Sequence, residues 1–120
     1  MGLLEGKNIL VTGVTMRTSI AYAVVDIAQR EGANVVVSAA GRAVAPAQRA
    51  ISKLETVPPL IEVDVTDPDH LAALPQTLSE HFGDRLDGIV HSIAYADPET
   101  ALGGKFLSTG WDAVANAVHI

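Results

Sequence analysis

Three short stretches of this sequence have the residue types and spacing to hold a ligand: residues 13–21, the pair Asp64-Val65, and Ser92-Ile93-Ala94-Tyr95. The first, Gly13-Val14-Thr15-Met16-Arg17-Thr18-Ser19-Ile20-Ala21, links an apolar run to an amphipathic one. At such a junction a pyrophosphate can meet the free amides of a helix N-terminus. Gly13 lets backbone approach the ligand, and Ser19 can cap the helix while offering its hydroxyl to a phosphate. The same residues also fit a plain structural role, Gly13 ending a strand and Ser19 capping a helix. No glycine follows Gly13 until Gly32, so the G-x-G-x-x-G fingerprint is absent.

Asp64 can accept a hydrogen bond from an adenine amino group while Val65 packs on the ring. It can equally serve turn and capping chemistry with Asp67 and Asp69, which cluster with it before a helix. In dinucleotide-binding sheets the second strand ends near an acid that binds the ribose hydroxyls. Here that end reads Ser38-Ala39-Ala40-Gly41-Arg42, without a carboxylate. Arg42 can face a 2′-phosphate, which favours NADPH, or stack on adenine, or stand as a solvated helix-start residue. Ser92-Ile93-Ala94-Tyr95 ends a strand on the same sheet edge as Gly13, bordering a ribose and nicotinamide. His70, His81, His91 and His119 share no His-x-x-x-His spacing, and no Gly-x-Ser-x-Gly elbow, P-loop or Ser/His/Asp constellation occurs. Metal-dependent, hydrolase and nucleoside-triphosphatase readings therefore lack support.

The elements that must position these residues follow from periodicity. Asn8-Ile9-Leu10-Val11-Thr12, Asn34-Val35-Val36-Val37-Ser38, Leu60-Ile61-Glu62-Val63-Asp64 and residues 86–93 are short apolar runs, as expected of strands covered on both faces. Ile20, Val24, Ile27 and Ala28 have helical spacing and predict a helix over 19–31, stopped by Gly32. A weaker helix is expected over 44–54. A third starts at Asp67-Pro68 and carries Leu71, Leu74, Leu78 and Phe82 on one face. Pro75 lies inside that pattern and should cost about 3 kcal/mol or kink the helix. Residues 95–108 read as loop. A last helix from near Thr109 carries Trp111, Val114 and Val118 and reaches Ile120 without a stop signal, as though cut mid-element.

Strand and helix alternate four times with connections suited to βαβ units, so right-handed crossovers and a parallel sheet follow. The expected fold class is α/β: a three-layer, Rossmann-like parallel sheet, N-terminal half, with strand order 3-2-1-4. Residues 1–120 then form one partial NAD(P)-binding domain whose ligand crevice lies between strands one and four.

Composition agrees with one folded domain. Of 120 residues, 48% are hydrophobic and 18% charged, which supports a single core and argues against disorder. Eight Lys+Arg against 14 Asp+Glu give −6, and the cations are scattered singly, so nucleic acid is not an expected partner. With no cysteine there is no disulfide framework or thiolate metal site. No run approaches the roughly 20 apolar residues of a membrane span. The N-terminus lacks a secretory pattern, and Gly6 stands where a myristoylation motif wants Ser or Thr. A soluble cytoplasmic protein is expected.

Taken together, residues 2–13, the Ser19-Ile20-Ala21 helix start, Asp64-Val65 and Leu86-Asp87-Gly88-Ile89-Val90-His91-Ser92-Ile93 closely resemble the NADH-dependent enoyl-acyl-carrier-protein reductases, divergent short-chain dehydrogenases/reductases. Ala101-Leu102-Gly103-Gly104-Lys105-Phe106 looks like the actinobacterial branch. That family's glycine-poor cofactor loop explains the missing fingerprint. Neither the Thr-Gly-x-x-x-Gly-x-Gly loop nor the Asn-Asn-Ala-Gly strand end of ordinary ketoacyl reductases is present.

The resemblance implies that Gly13, Val14, Ser19 and Ile20 surround the pyrophosphate of NADH, Asp64 and Val65 the adenine, and Ser92, Ile93 and Ala94 the ribose and nicotinamide. It places Tyr95 on the substrate side and Ile120 in the cofactor pocket wall. The departure at Ala40-Gly41, where relatives often carry a larger or more polar residue, leaves NADPH open as an alternative. The implied reaction is hydride transfer from NADH to the β-carbon of a trans-2-enoyl thioester on acyl carrier protein or CoA, in type II fatty acid synthesis. Protonation at the α-carbon follows. The full-length form is expected to be a homo-oligomer.

The family's enolate-binding Tyr and ribose-anchoring Lys come from beyond the fourth helix. Neither Tyr22 nor Tyr95 matches the former, and no Lys follows Lys105. The chain is thus expected to be a truncated reductase with no catalytic residue of its own, inactive alone. The alternative is a stand-alone, non-catalytic dinucleotide-binding or interaction module. Either way, strand four is expected to be an open edge, promoting self-association or marginal stability.

Overall fold

The computed structural model describes residues 2–95, 99, 102, 104 and 106–120. The strands are β1 (Asn8–Thr12), β2 (Asn34–Ala39), β3 (Leu60–Glu62) and β4 (Gly88–Val90), and the helices are α1 (Ile20–Arg30), α2 (Val44–Ile51), α3 (Pro68–Phe82) and α4 (Trp111–His119). Short 3-10 turns occupy Gly41–Ala43 and Phe106–Ser108. All pairings are parallel and the order is β3-β2-β1-β4, as the sequence predicts, with Leu10 opposite both Val36 and Ile89.

Alternation along the central strands builds two apolar layers. Val11, Val35 and Val37 face α1 and α2, meeting Val25, Ala28 and Ile51. Leu10 and Val36 face the other way, toward Leu78 of α3, with Ile61 and Val63. The sheet therefore sits between helices on both faces, which is why β1 and β2 read as continuous apolar runs. Each fully buried Val or Leu contributes about 1.5–3 kcal/mol.

The amino ends of the strands are knotted by Asn8. Its side chain donates to the Arg85 carbonyl (2.8 Å) and accepts from Asn34 Nδ2 (2.9 Å), while its amide donates to Asp87 Oδ2 (2.7 Å). That amide bond above all, helped by the nearby Arg85 and Lys7 cations, holds the Asp87 carboxyl below the usual carboxylate range. Polar pairing closes this end of the sheet and leaves the opposite end open.

Several boundaries differ from the sequence expectation. β4 covers only 88–90 rather than 86–93, because β1 is its one partner among the described residues and Ile89 is 55% exposed. β3 stops at Glu62 and α2 at Ile51; Leu54 is buried from the turn that follows. The expected loop over 95–108 lies partly outside the described residues and includes the turn at Phe106–Ser108. α3 runs unbroken through Pro75. Pro75 and Leu71 are both exposed, so the Leu71 carbonyl that loses its amide partner is on the water side of the helix. α4 has no buried residue.

Candidate functional site

Every loop that leaves the carboxyl end of a strand converges on one cleft of about 550 Å³, a size typical of small-molecule sites. It lies where the strand order reverses, between β1 and β4. Gly13, Val14, Ser19 and Ile20 line it from the β1–α1 bend, Asp64 and Val65 from the end of β3, and Ser92, Ile93 and Ala94 from the end of β4; Ile120 reaches it from α4. All ten cofactor positions expected from the sequence are thus brought together. Tyr95 is half exposed and does not line the cleft.

The bend after β1 is fixed by what glycine lacks. Gly13 has φ +81°, and a Cβ built there would overlap the carbonyl oxygen of Ser92. Its amide donates to the Ser38 carbonyl, so the three strand ends meet at one residue. Beside it the buried Thr12 extends the β1–β4 pairing past the last ladder bond: its hydroxyl accepts from the Ser92 amide at 3.0 Å and lies 3.2 Å from His91 Nδ1. Ser92, Ile93 and Ala94 are held over the bend by these two contacts.

At the start of α1, Ser19 caps the helix by accepting from the Tyr22 amide and gives its own proton to the Met16 carbonyl at 2.7 Å. That proton is therefore engaged, and the helix end itself offers an anion its backbone amides. Those of Ile20 and Ala21 precede any intrahelical acceptor. The first turn of α1 carries no acidic residue, so nothing there offsets the positive end of the helix dipole.

Asp64 does what a turn residue does and still faces the cleft. Its Oδ1 accepts from the Thr66 hydroxyl (2.6 Å) and amide (2.9 Å). The hydroxyl first, then the amide, keep its carboxyl below the ordinary value. Its own amide donates to His70 Nδ1 at 2.9 Å, so that nitrogen is unprotonated and the ring proton sits on Nε2, facing Asp67 Oδ2 at 3.5 Å. Thr12, Thr66 and His70 support the site as well, beyond the residues expected from the sequence. The Asp64-x-Thr66 spacing was a readable turn signal; the Thr12 contact, made with a strand 80 residues away, was not.

An anion-receptive helix start, an apolar floor and a carboxylate with a free edge fit the pyrophosphate, ribose and adenine of a dinucleotide. Among the described residues no group of His, Cys, Asp and Glu could hold a metal ion, and no helix is long and apolar enough to cross a membrane.

A doubly covered parallel sheet in the order 3-2-1-4, open at its reversal point, defines the N-terminal part of a Rossmann-like α/β protein. A family model described as enoyl-(acyl carrier protein) reductase matches residues 13–120, and the chain belongs to that family. It is 38% identical to the enoyl-acyl-carrier-protein reductase (NADH) of Mycobacterium avium, over 99% of this chain and 44% of the relative. The reductase of the same name from Mycolicibacterium smegmatis is 35% identical over 99% of this chain and 45% of its own length. FabI of Aquifex aeolicus is 40% identical over 87% and 38% respectively. The chain therefore spans less than half the length of these relatives.

Proposed function

We propose that this chain is the cofactor-binding part of an NADH-dependent enoyl-acyl-carrier-protein reductase, with Gly13, Val14, Ser19, Ile20, Asp64, Val65, Ser92, Ile93, Ala94 and Ile120 around NADH. The observation that carries this is the convergence of all ten on the cleft at the sheet's reversal point. The amides at Ile20 and Ala21 receive the pyrophosphate, Asp64 and Val65 receive the adenine, and the strand end held by Thr12 sets the height of the nicotinamide ribose. Bound NADH supplies hydride to the β-carbon of a trans-2-enoyl thioester on acyl carrier protein or CoA.

The chain alone binds and orients; it does not turn over. Tyr22 lies in α1, packed against the core, and Tyr95 is half exposed beyond the cleft, so neither is set to donate to an enolate oxygen.

The test is an NADH titration followed by fluorescence, with Ile20→Glu as the variant. Ile20 is 78% exposed, so this change leaves the core intact and places an anion where the pyrophosphate would sit. Saturable NADH binding, weakened about tenfold or more in Ile20→Glu, is expected. A cooperatively folded wild type that does not bind NADH refutes the proposal, and turnover of an enoyl thioester by the chain alone refutes its second half.

A further inference from the structure

The turn that presents Asp64 and Val65 to the cleft begins where pairing with β2 ends. The Val63 amide still donates to the Ala39 carbonyl, at 3.0 Å; the next amide, that of Asp64, donates instead to Nδ1 of His70, at 2.9 Å. Other bonds of the turn join its own residues: the Thr66 hydroxyl and amide donate to Asp64 Oδ1, and the Asp67 amide donates to the Asp64 carbonyl. The His70 bond differs from these in two ways. It ties the turn to a side chain in the first turn of α3, and its acceptor is a titratable nitrogen. The His70 side chain is 34% exposed, so protons reach it from solvent.

An imidazole accepts at Nδ1 only while that nitrogen carries no proton, and histidine takes up its second proton between about pH 8 and 5. In the imidazolium both ring nitrogens are donors. The Asp64 N–H and the Nδ1–H would then face each other across the 2.9 Å that is now a hydrogen bond. The charged groups around the ring leave that conflict in place. Asp67 Oδ2 lies 3.5 Å from Nε2, which carries a proton in either state. Asp64 has Oδ1 committed to Thr66, and Asp69, next along α3, is exposed. β2, against which α3 packs, has no titratable residue, and Glu62 of β3 is exposed.

We infer that His70 is a positioning residue for the adenine end of the cleft. Uncharged, it holds the Asp64-Val65 turn in the shape that receives the ring; protonated, it releases the turn, so nucleotide binds more weakly as pH falls. The inference rests on the dinucleotide reading above. Its sign is opposite to that of overall charge, because acidification reduces the −6 of this chain and by itself favours an anionic ligand.

The experiment uses ADP-ribose, which carries adenosine and pyrophosphate and has no group that titrates between about pH 5 and 8. Its Kd is measured by calorimetry across that range for the wild type, for His70→Asn, whose amide oxygen can replace Nδ1 as acceptor without titrating, and for His70→Leu, which offers no acceptor. Far-UV circular dichroism at each pH checks the fold, and NMR without ligand follows the Asp64 amide and the His70 ring. The wild-type Kd should rise about tenfold on acidification, as the fraction of chains with the turn in place falls. His70→Asn should bind more tightly than His70→Leu at neutral pH, neither should show the wild-type slope, and the Asp64 amide should shift with the titration of the ring. Should His70→Leu fail to fold, the wild type and His70→Asn carry the comparison. A wild-type Kd that stays level or falls on acidification, or a slope that survives in His70→Asn, overturns the inference and leaves the dinucleotide reading intact. An Asp64 amide indifferent to His70 overturns it without any nucleotide. ADP-ribose that fails to bind at neutral pH, while the Asp64 amide still follows His70, overturns the dinucleotide reading itself.

Discussion

Replacing Gly13 by alanine tests the geometry on which the cleft depends, with Gly6→Ala as its control. Both glycines have positive φ, +81° and +72°, so each substitution incurs the left-handed penalty of about 1–2 kcal/mol. They differ in what surrounds the new methyl. At Gly6 it meets nothing within 4 Å, whereas at Gly13 it overlaps the Ser92 carbonyl oxygen and lies 3.3 Å from the Ile93 amide nitrogen. Those atoms are backbone, next to the Ser92 amide that donates to the Thr12 hydroxyl, and cannot step aside as a flexible side chain would. Forcing strand ends apart in a packed region costs about 1–3 kcal/mol more. Gly13→Ala should therefore lose about 2–5 kcal/mol, while Gly6→Ala loses only the first part.

Urea unfolding followed by far-UV circular dichroism reads the difference. Trp111 fluorescence would not, since that indole is 77% exposed on α4. A Gly13→Ala protein within about 0.5 kcal/mol of Gly6→Ala would refute the claim that the bend is glycine because β4 presses on it.

Two further perturbations examine the opposite end of the sheet and the helix start. Asp87 has a folded pKa below its ordinary 3.8, so its stabilisation is fully present well above that value and lost as pH falls through the lowered one. The stability gap between wild type and Asp87→Asn should close on acidification in that window, and urea midpoints that keep a constant gap would contradict it. Ser19→Ala removes the cap bond to the Tyr22 amide and should cost about 1 kcal/mol, against a few tenths for Ser19→Gly. Equal denaturation midpoints for wild type and Ser19→Ala would show that the cap contributes nothing.

What was legible in the sequence is what depends on local pattern. β1 and β2 announced themselves because both faces of each strand are buried, and α1 because Ser19 and Gly32 bracket an amphipathic run. The chemistry-bearing bend was legible as a bend, through Gly13 alone. Its cause was not, because the group that excludes a side chain there is the carbonyl of Ser92, far along the chain. β4 is shorter than its apolar run for a related reason. Apolar residues up to Ile93 look like strand, but beyond Val90 the backbone is held by Thr12 and turns to line the cleft. Asp64 shows a residue whose two readings were never in competition: its Oδ1 makes the turn with Thr66, and the turn is what presents the residue to the cleft.

The Thr12–Ser92 bond spans 80 residues, almost the whole distance from the first strand to the last. The wall formed by Ser92, Ile93 and Ala94 is set against the Gly13 bend only when that loop is closed, and closing it costs chain entropy. Any ligand that spans both sides of the cleft therefore favours, by mass action, the paired state of β4 and β1.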